Sequence, residues 1–453
     1  MKKFLAVFWM FALVCGLAFG KGQADMGVPI YTEEKPAVLF VAKDGNITDE
    51  PFKSMVTAFR EKNPHAVIRH LGIDISDGGL SAMIAYVAAG IRPLYKDYAG
   101  RVGAFKVEEY ALNLSPYVDF SDYYPDVLET VTVDGKVLAI PLGGQYCVMS
   151  VNTTILEAAG FDPARCQNWS VDDFLEMARL VRDNTDKTPL AFFCNNQSAD
   201  YLYSHVLTWF GADMYNDDYT ESNLLAGGAG LKAFEMFKLL YDEGFIPRES
   251  AVLGAGDYLA MFGRGEVAAW CGWVGWNENF RRQRVENEGV AWWDFDYVPY
   301  PKAEGVEKAP LFMQNHFALA PRSDYITDLK NDIRRPKDAE LDRLYAELAV
   351  ALRDAEESTY AQNSYSVRKS LALAGLPEGL DAEEVARHRE IVAANGSWDW
   401  GLSQMTYSTI RKELFPRLQA LFAGEETPEE ALETYVENVT RILAEAKIPW
   451  IEQ

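Results

Sequence analysis

The chain has 453 residues, 49% hydrophobic and 24% charged, with Lys+Arg 43 against Asp+Glu 67 and a net charge of −24. That length suggests about two or three domains and a core that stands without disulfide staples, and the balance is globular rather than disordered. A surface this negative repels phosphate backbones and anionic lipid heads, and no Lys/Arg cluster offsets it, so nucleic acid is not an expected partner.

The first residues read as an address. Lys2 and Lys3 precede an unbroken apolar run, Phe4 to Val14, which is too short to span a membrane. Ala18-Phe19-Gly20 then fits a small-x-small cleavage site, so residues 1–20 are expected to be a signal peptide and the protein periplasmic or at the cell surface. Lipidation of Cys15 is the alternative, and the bulky Val14 before it argues against that. Four cysteines follow the cleavage site: Cys147, Cys166, Cys194 and Cys271. No pair has C-x-x-C spacing and the histidines are scattered, so neither a metal nor another cofactor is expected. An exported chain can form disulfides, and the pairing stays open.

In chain order, Ala37 to Ala42 reads as a fully buried strand. Phe52, Met55, Val56 and Phe59 follow i, i+3, i+4, i+7 and mark one helix face, which Asn63-Pro64 ends. Ala66 to Ile73 reads as a second strand. Strand–helix–strand units of this kind build parallel sheets covered by helices on both faces. Ser170 with Asp173 forms a capping box, flanked by Trp169 and Phe174 at the staple positions. A helix from Leu231 to Glu243 stops at Gly244, a suitable left-handed cap. Thr427-Pro-Glu-Glu430 opens a terminal helix whose apolar face runs from Leu432 to Leu443. The class is α/β, in two lobes.

Common catalytic signatures are missing: no G-x-x-x-x-G-K-[ST], H-E-x-x-H or G-x-S-x-G occurs. Acidic pairs such as Asp294 with Asp296 read as loop or surface charge in so acidic a chain. Aromatics make up 13%, and the densest group is Trp270-Cys-Gly-Trp273-Val-Gly-Trp276-Asn-Glu-Asn279. Flat rings beside Asn, Gln and Asp suit a sugar, whose C–H faces stack while its hydroxyl rim takes hydrogen bonds.

At this point the residues resemble a known family. Asp134-Gly-Lys-Val-Leu-Ala-Ile-Pro-Leu142, then Val148-Met-Ser-Val-Asn152, Leu156-Glu-Ala-Ala-Gly160 and Asn168-Trp-Ser-Val-Asp-Asp-Phe174 are similar to motifs of the family 1 extracellular solute-binding proteins, maltose-binding types included. Met261 to Ala269, Tyr297 to Pro301 and Phe317 to Ser323 resemble later motifs in the same order. The resemblance implies the type II periplasmic-binding-protein fold, with parallel-rich sheets, helices on both faces and a hinge between lobes. It implies residues 36–143 as the first segment of lobe 1, 144–308 as the first of lobe 2, 309–370 as the return to lobe 1, and 371–453 as C-terminal helices of lobe 2. It also implies a monomer that captures a small solute, chiefly a carbohydrate, for the permease of an ABC importer, without being an enzyme.

Carried over by motif, the ligand positions fall on Asp44 and Asn46 after the first strand, and on Tyr98 and Arg101 in a second loop. Gln145 and Tyr146 follow the hinge glycines Gly143 and Gly144. Further positions are Tyr201, Trp273 and Trp276, then Gln314 and Asn315 on the returning segment, and Tyr407 and Arg411 on a late helix. Each also has a plain structural reading, as turn residue, surface charge or core aromatic. Trp276, beside Gly275, is the ring expected to lie in the cleft. Two alternatives stand beside the carbohydrate: a peptide or polyamine on the same fold, and a secreted glycan-cleaving enzyme that uses paired carboxylates.

Overall fold

The expected strand–helix–strand unit opens the fold as β1 (Ala37–Lys43), α1 (Glu50–Lys62) and β2 (Ala66–Gly72). Phe52, Met55 and Phe59 are the buried face of α1, and β1 pairs in parallel with β2 from Ala37↔Ala66 to Lys43↔Gly72. The computed structural model describes residues 31–43, 50–72, 79–97, 110–129, 131–216, 220–273, 276–328, 333–360, 367–371, 382–398 and 407–445. The expected signal peptide lies outside them. Among the described residues no helix is long and apolar enough to cross a membrane.

After β2 come α2 (Gly79–Ala88), β3 (Leu94–Asp97), α3 (Pro125–Glu129) and the hairpin β4 (Thr132–Val133) with β5 (Lys136–Val137). Asp134 and Gly135 turn that hairpin with φ of 49° and 74°, the left-handed pair that an Asp-Gly turn supplies. The long β6 (Ile140–Asn152) leads to α4 (Thr153–Ala159), α5 (Val171–Asn184), β7 (Thr188–Leu190) and α6 (Asp200–Trp209). Then follow α7 (Ala229–Asp242), α8 (Ala255–Gly263), β8 (Val267–Trp273), α9 (Trp276–Glu288), β9 (Phe295–Val298) and β10 (Leu311–Leu319). A small pair, β11 (Ile326–Asp328) and β12 (Ile333–Arg334), precedes the long α10 (Ala339–Tyr360). The chain closes with α11 (Ala382–Asn395), β13 (Ser397–Trp398), α12 (Tyr407–Ile410), α13 (Leu414–Ala423) and α14 (Pro428–Glu445).

The capping signals work as written. Ser170 Oγ accepts from the Asp173 amide while Asp173 accepts from the Ser170 amide, and the Trp169 and Phe174 rings meet at 5.7 Å. Thr427 and Glu430 exchange the same reciprocal pair at the start of α14.

Nine strands make one sheet in the order β2-β1-β3-β10-β6-β8-β7, with β13 beside β10 and β9 beside β6. Pairings at its two ends are parallel, and those of β3 with β10, β10 with β6 and β6 with β8 and β9 are antiparallel, while β13 joins β10 in parallel. The middle is the informative part. β6 and β10 pair from Ile140↔Ala318 to Cys147↔Phe312, with a bulge between His316 and Phe317. β3 joins β10 only at Phe317–Leu319, and β8 joins β6 only from Cys147 onward. Between those points, among the described residues, Gly143–Tyr146 and Met313–His316 form a bare two-stranded ribbon.

The cores divide at this ribbon. On one side Leu39, Val41, Leu94, Ile140 and Ala318 pack under α1 and α10, while Ala42, Tyr95, Phe317 and Leu319 pack on the opposite face with Met83 of α2. On the other side Tyr146 to Val151 of β6, with Leu311 and Phe312 of β10, join a large core containing Phe174, Trp209, Phe234 and Trp270. Cys147, Cys166, Cys194 and Cys271 are free and buried there. Cys147 and Cys271 are diagonal neighbours across β6 and β8, and their thiols hydrogen-bond. Burial pushes the Cys271 thiol above its ordinary range.

Candidate functional site

Strand direction locates the site. β3 is antiparallel to β10 and β8 is antiparallel to β6, so each runs toward the ribbon from its own side of the sheet. β3 ends at Asp97 opposite Phe317, and β8 ends at Trp273 opposite Cys147. Carboxyl ends of strands are where α/β sheets hold ligands, because connecting loops and helix starts converge there. Both halves therefore aim their carboxyl ends at one place, the bare ribbon.

The wall on the β8 side is aromatic. Trp273 lies 5.5 Å from Tyr201 of α6 and 5.6 Å from Phe312 of β10, ring centre to ring centre. Tyr146 on β6 meets the edge of His388 from α11 at 6.0 Å. These rings mark the rim of the core: Tyr146 is 8% exposed, Tyr201 9% and Trp273 5%, while Trp270 and Cys271 further along β8 are at 0%. Burial holds the Tyr201 and Tyr258 hydroxyls far above the usual tyrosine range, so they remain neutral hydrogen-bonding groups.

The opposite wall is charged. Lys43 ends β1 only 1% exposed, with its ammonium 5.8 Å from the Phe52 ring centre. Lys96 of β3 pairs with Glu356 of α10 at 2.8 Å, with side chains 15% and 5% exposed. His316, beside the bulge, is held down to about 3 by burial and then by Lys96, so its imidazole is neutral.

The residues expected from sequence distribute around this geometry. Gln314 pairs with Gln145, Asn315 with Gly144 and Met313 with Tyr146, which brings the hinge-strand candidates into adjacent register positions. Tyr146, Tyr201 and Trp273 share the aromatic wall. Trp276 begins α9 and Tyr407 begins α12; their side chains, like those of Gln145, Gln314 and Asn315, lie outside the described ones. Asp44, Asn46, Tyr98 and Arg101 lie outside the described residues, although the strands leading to them, β1 and β3, end side by side. Arg411 is ion-paired at 2.7 Å with Asp200, the residue before Tyr201. Asp294 accepts from the Trp292 indole, and Asp296 is held by Gln167 and Arg387, so this acidic pair serves the surface of the fold.

Phe312, His388 and Asp200 were not legible as site residues. Phe312 is one apolar residue in an apolar run, and only the β6–β10 register brings it to Trp273. Among the described residues no group of three metal-ligating side chains converges.

Comparison with known proteins agrees with this geometry. Residues 42–302, more than half of the chain, match the model of the bacterial extracellular solute-binding protein family. A lactose-binding protein of Rhizobium radiobacter is 28% identical over 120 residues, a stretch that spans 26% of this chain and only 27% of that relative's length. A cyclic alpha-maltosyl-1,6-maltose binding protein from Arthrobacter globiformis superposes with a TM-score of 0.65 at 16% identity, covering 91% of this chain and 100% of that one. A receptor of Streptomyces glaucescens, solved unliganded and with acarbose, gives a TM-score of 0.64 at 15% identity, again covering 91% and 100%. These structures share the two-lobed periplasmic-binding-protein fold. From the order of its motifs, its sheet and its match over residues 42–302, the chain belongs to the bacterial extracellular solute-binding proteins.

Proposed function

We propose that this protein is the extracytoplasmic carbohydrate-binding subunit of an ABC importer, holding a mono- or oligosaccharide between its lobes. The observation that carries the reading is the aromatic rim of Tyr146, Tyr201, Trp273 and Phe312 at the carboxyl end of β8. Aromatic faces beside Gln145, Gln314 and Asn315 suit a ring with apolar faces and a hydroxyl edge. Relatives named for lactose, a cyclic maltosyl sugar and acarbose support the same class. In this reading Asp44, Asn46, Tyr98, Arg101, Trp276 and Tyr407 are further ligand positions.

The mechanism is physical. Residues 36–143 and 309–370 act as one lobe, residues 144–308 and 371–453 as the other, and the ribbon bends between them. A ligand touching both lobes favours the closed form by its differential affinity. The closed monomer is then read by a membrane permease, after export and removal of residues 1–20.

A thermal-shift screen of the mature protein tests this, with lactose, acarbose, maltose, spermidine and a tripeptide. A sugar at about 100 times its dissociation constant stabilises by roughly 2.7 kcal/mol. A shift with spermidine or the peptide and none with any saccharide overturns the carbohydrate reading. Release of a cleaved product from an oligosaccharide would overturn the binding role itself.

A further inference from the structure

Arg411 is held in a buried polar knot. Its Nη2 lies 2.7 Å from Asp200 Oδ2 and donates to the Gln197 carbonyl at 3.1 Å. The two side chains are only 12% and 6% exposed. The Tyr201 amide donates to Asp200 Oδ1 at 3.0 Å, and the Tyr203 hydroxyl reaches the Arg411 carbonyl at 3.5 Å. Three segments meet here: the short 3-10 turn Gln197–Ala199, the first turn of α6 with Asp200 and Tyr203, and the chain leaving α12.

Such a pair is a poor source of stability. Desolvating two charges offsets most of their attraction, and apolar replacements of similar volume often keep or raise stability. What an apolar pair lacks is direction: it cannot hold the Gln197 carbonyl and the Asp200 carboxylate at fixed distances. Asp200 precedes Tyr201, whose ring packs on Trp273, so the pair sets the angle at which α6 delivers Tyr201 to the aromatic rim.

We propose that Asp200 and Arg411 are positioning residues for the ligand site, orienting Tyr201 from behind, and that Arg411 acts through Asp200 instead of touching the ligand. The inference rests on the carbohydrate reading for its consequence and on the buried pair for its mechanism. Asp200→Asn and Arg411→Met should each weaken binding of lactose or acarbose by about tenfold, and the double variant should lose little more, as coupled neighbours do. The apolar double variant Asp200→Leu/Arg411→Met should recover unfolding stability yet still bind weakly. Backbone hydrogen exchange at residues 195–203 should be faster than wild type in all four variants, without any ligand present.

Several results would overturn the proposal. If Arg411→Met weakens binding while Asp200→Asn does not, Arg411 contacts the ligand directly. If affinity returns with stability in the apolar double variant, the pair is merely structural. If neither sugar binds the wild type, the carbohydrate reading fails, and the exchange measurement alone decides the positioning claim: unchanged protection at residues 195–203 refutes it.

Discussion

The two sides of the ribbon are built from opposite materials. Toward β8 the sheet ends in rings, with Trp273 between Tyr201 and Phe312. Toward β3 it ends in charge, with Lys43 buried and Lys96 paired to Glu356. The difference teaches how one fold meets an amphipathic ligand. A ring-lined wall offers dispersion and water exclusion to an apolar face, and it tolerates several sugars. A charged wall offers strong, directional bonds that are costly to desolvate without a partner, so it selects.

The contrast can be broken on the aromatic side first. Trp273→Ala removes a ring that two others pack against, and it should cost about 3–5 kcal/mol of folding stability, measured by urea denaturation of the ligand-free protein. Trp276→Ala should behave differently, costing about 2–4 kcal/mol of sugar binding by calorimetry with little loss of stability. Equal loss of stability in both variants would mean that Trp276 is core and not part of the cleft.

On the charged side, Glu356→Gln leaves Lys96 buried without its carboxylate, and should cost about 3 kcal/mol of stability. Lys96→Met with Glu356→Leu should recover much of it. If the single variant is as stable as wild type, the pair is more solvated than its exposure indicates.

Acid sharpens the comparison, because each side holds a neutral histidine: His205 of α6 and His316 of β10, both held down to about 3 chiefly by burial. An unfolded histidine titrates near 6.5. The folded value lies below it, so the unfolded chain binds more protons under acid. Stability is therefore full above about pH 6.5 and falls progressively as pH drops toward 3. His205, only 1% exposed between Trp209 and Tyr300, should account for a loss on the order of 2 kcal/mol between pH 6.5 and 4.5. His205→Phe should flatten that slope in denaturation midpoints taken across the range; an unchanged slope would show the imidazole is not the cause.

The smallest expected effect is on the ribbon itself. Replacing Gly143 and Gly144 by valine should leave the fold and thermal midpoint nearly unchanged while stiffening the crossing. Solution scattering should show the wild type contracting on addition of a bound sugar, and the variant contracting less. Equal contraction would move the bending point elsewhere.

Local order was legible in the sequence wherever neighbours along the chain settle it. The Phe52–Met55–Phe59 face and the Ser170 and Thr427 capping boxes depend on spacings of three to seven residues, and all formed as read. Motif order carried the family further, since weak signals in sequence constrain each other. The site was legible only in part. Trp273 stood out in an aromatic cluster beside polar residues and Tyr201 came from the motif resemblance, but Phe312 looked like any strand residue until β10 was laid against β6. Arg411 was read as a ligand position from its motif, and the chain itself carries no mark of the carboxylate it meets more than two hundred residues away.

The sequence by itself determined the periodicities, the caps, the excess of negative charge and the family, because these rest on local geometry and composition. Only the tertiary structure decided that β6 and β10 form a bare ribbon among the described residues, that aromatic rings gather on one side of it and charge on the other, and that Arg411 meets Asp200. Those facts depend on which distant segments share a surface. Burial, ion pairing and strand register arise when the chain closes on itself, and no residue carries them alone.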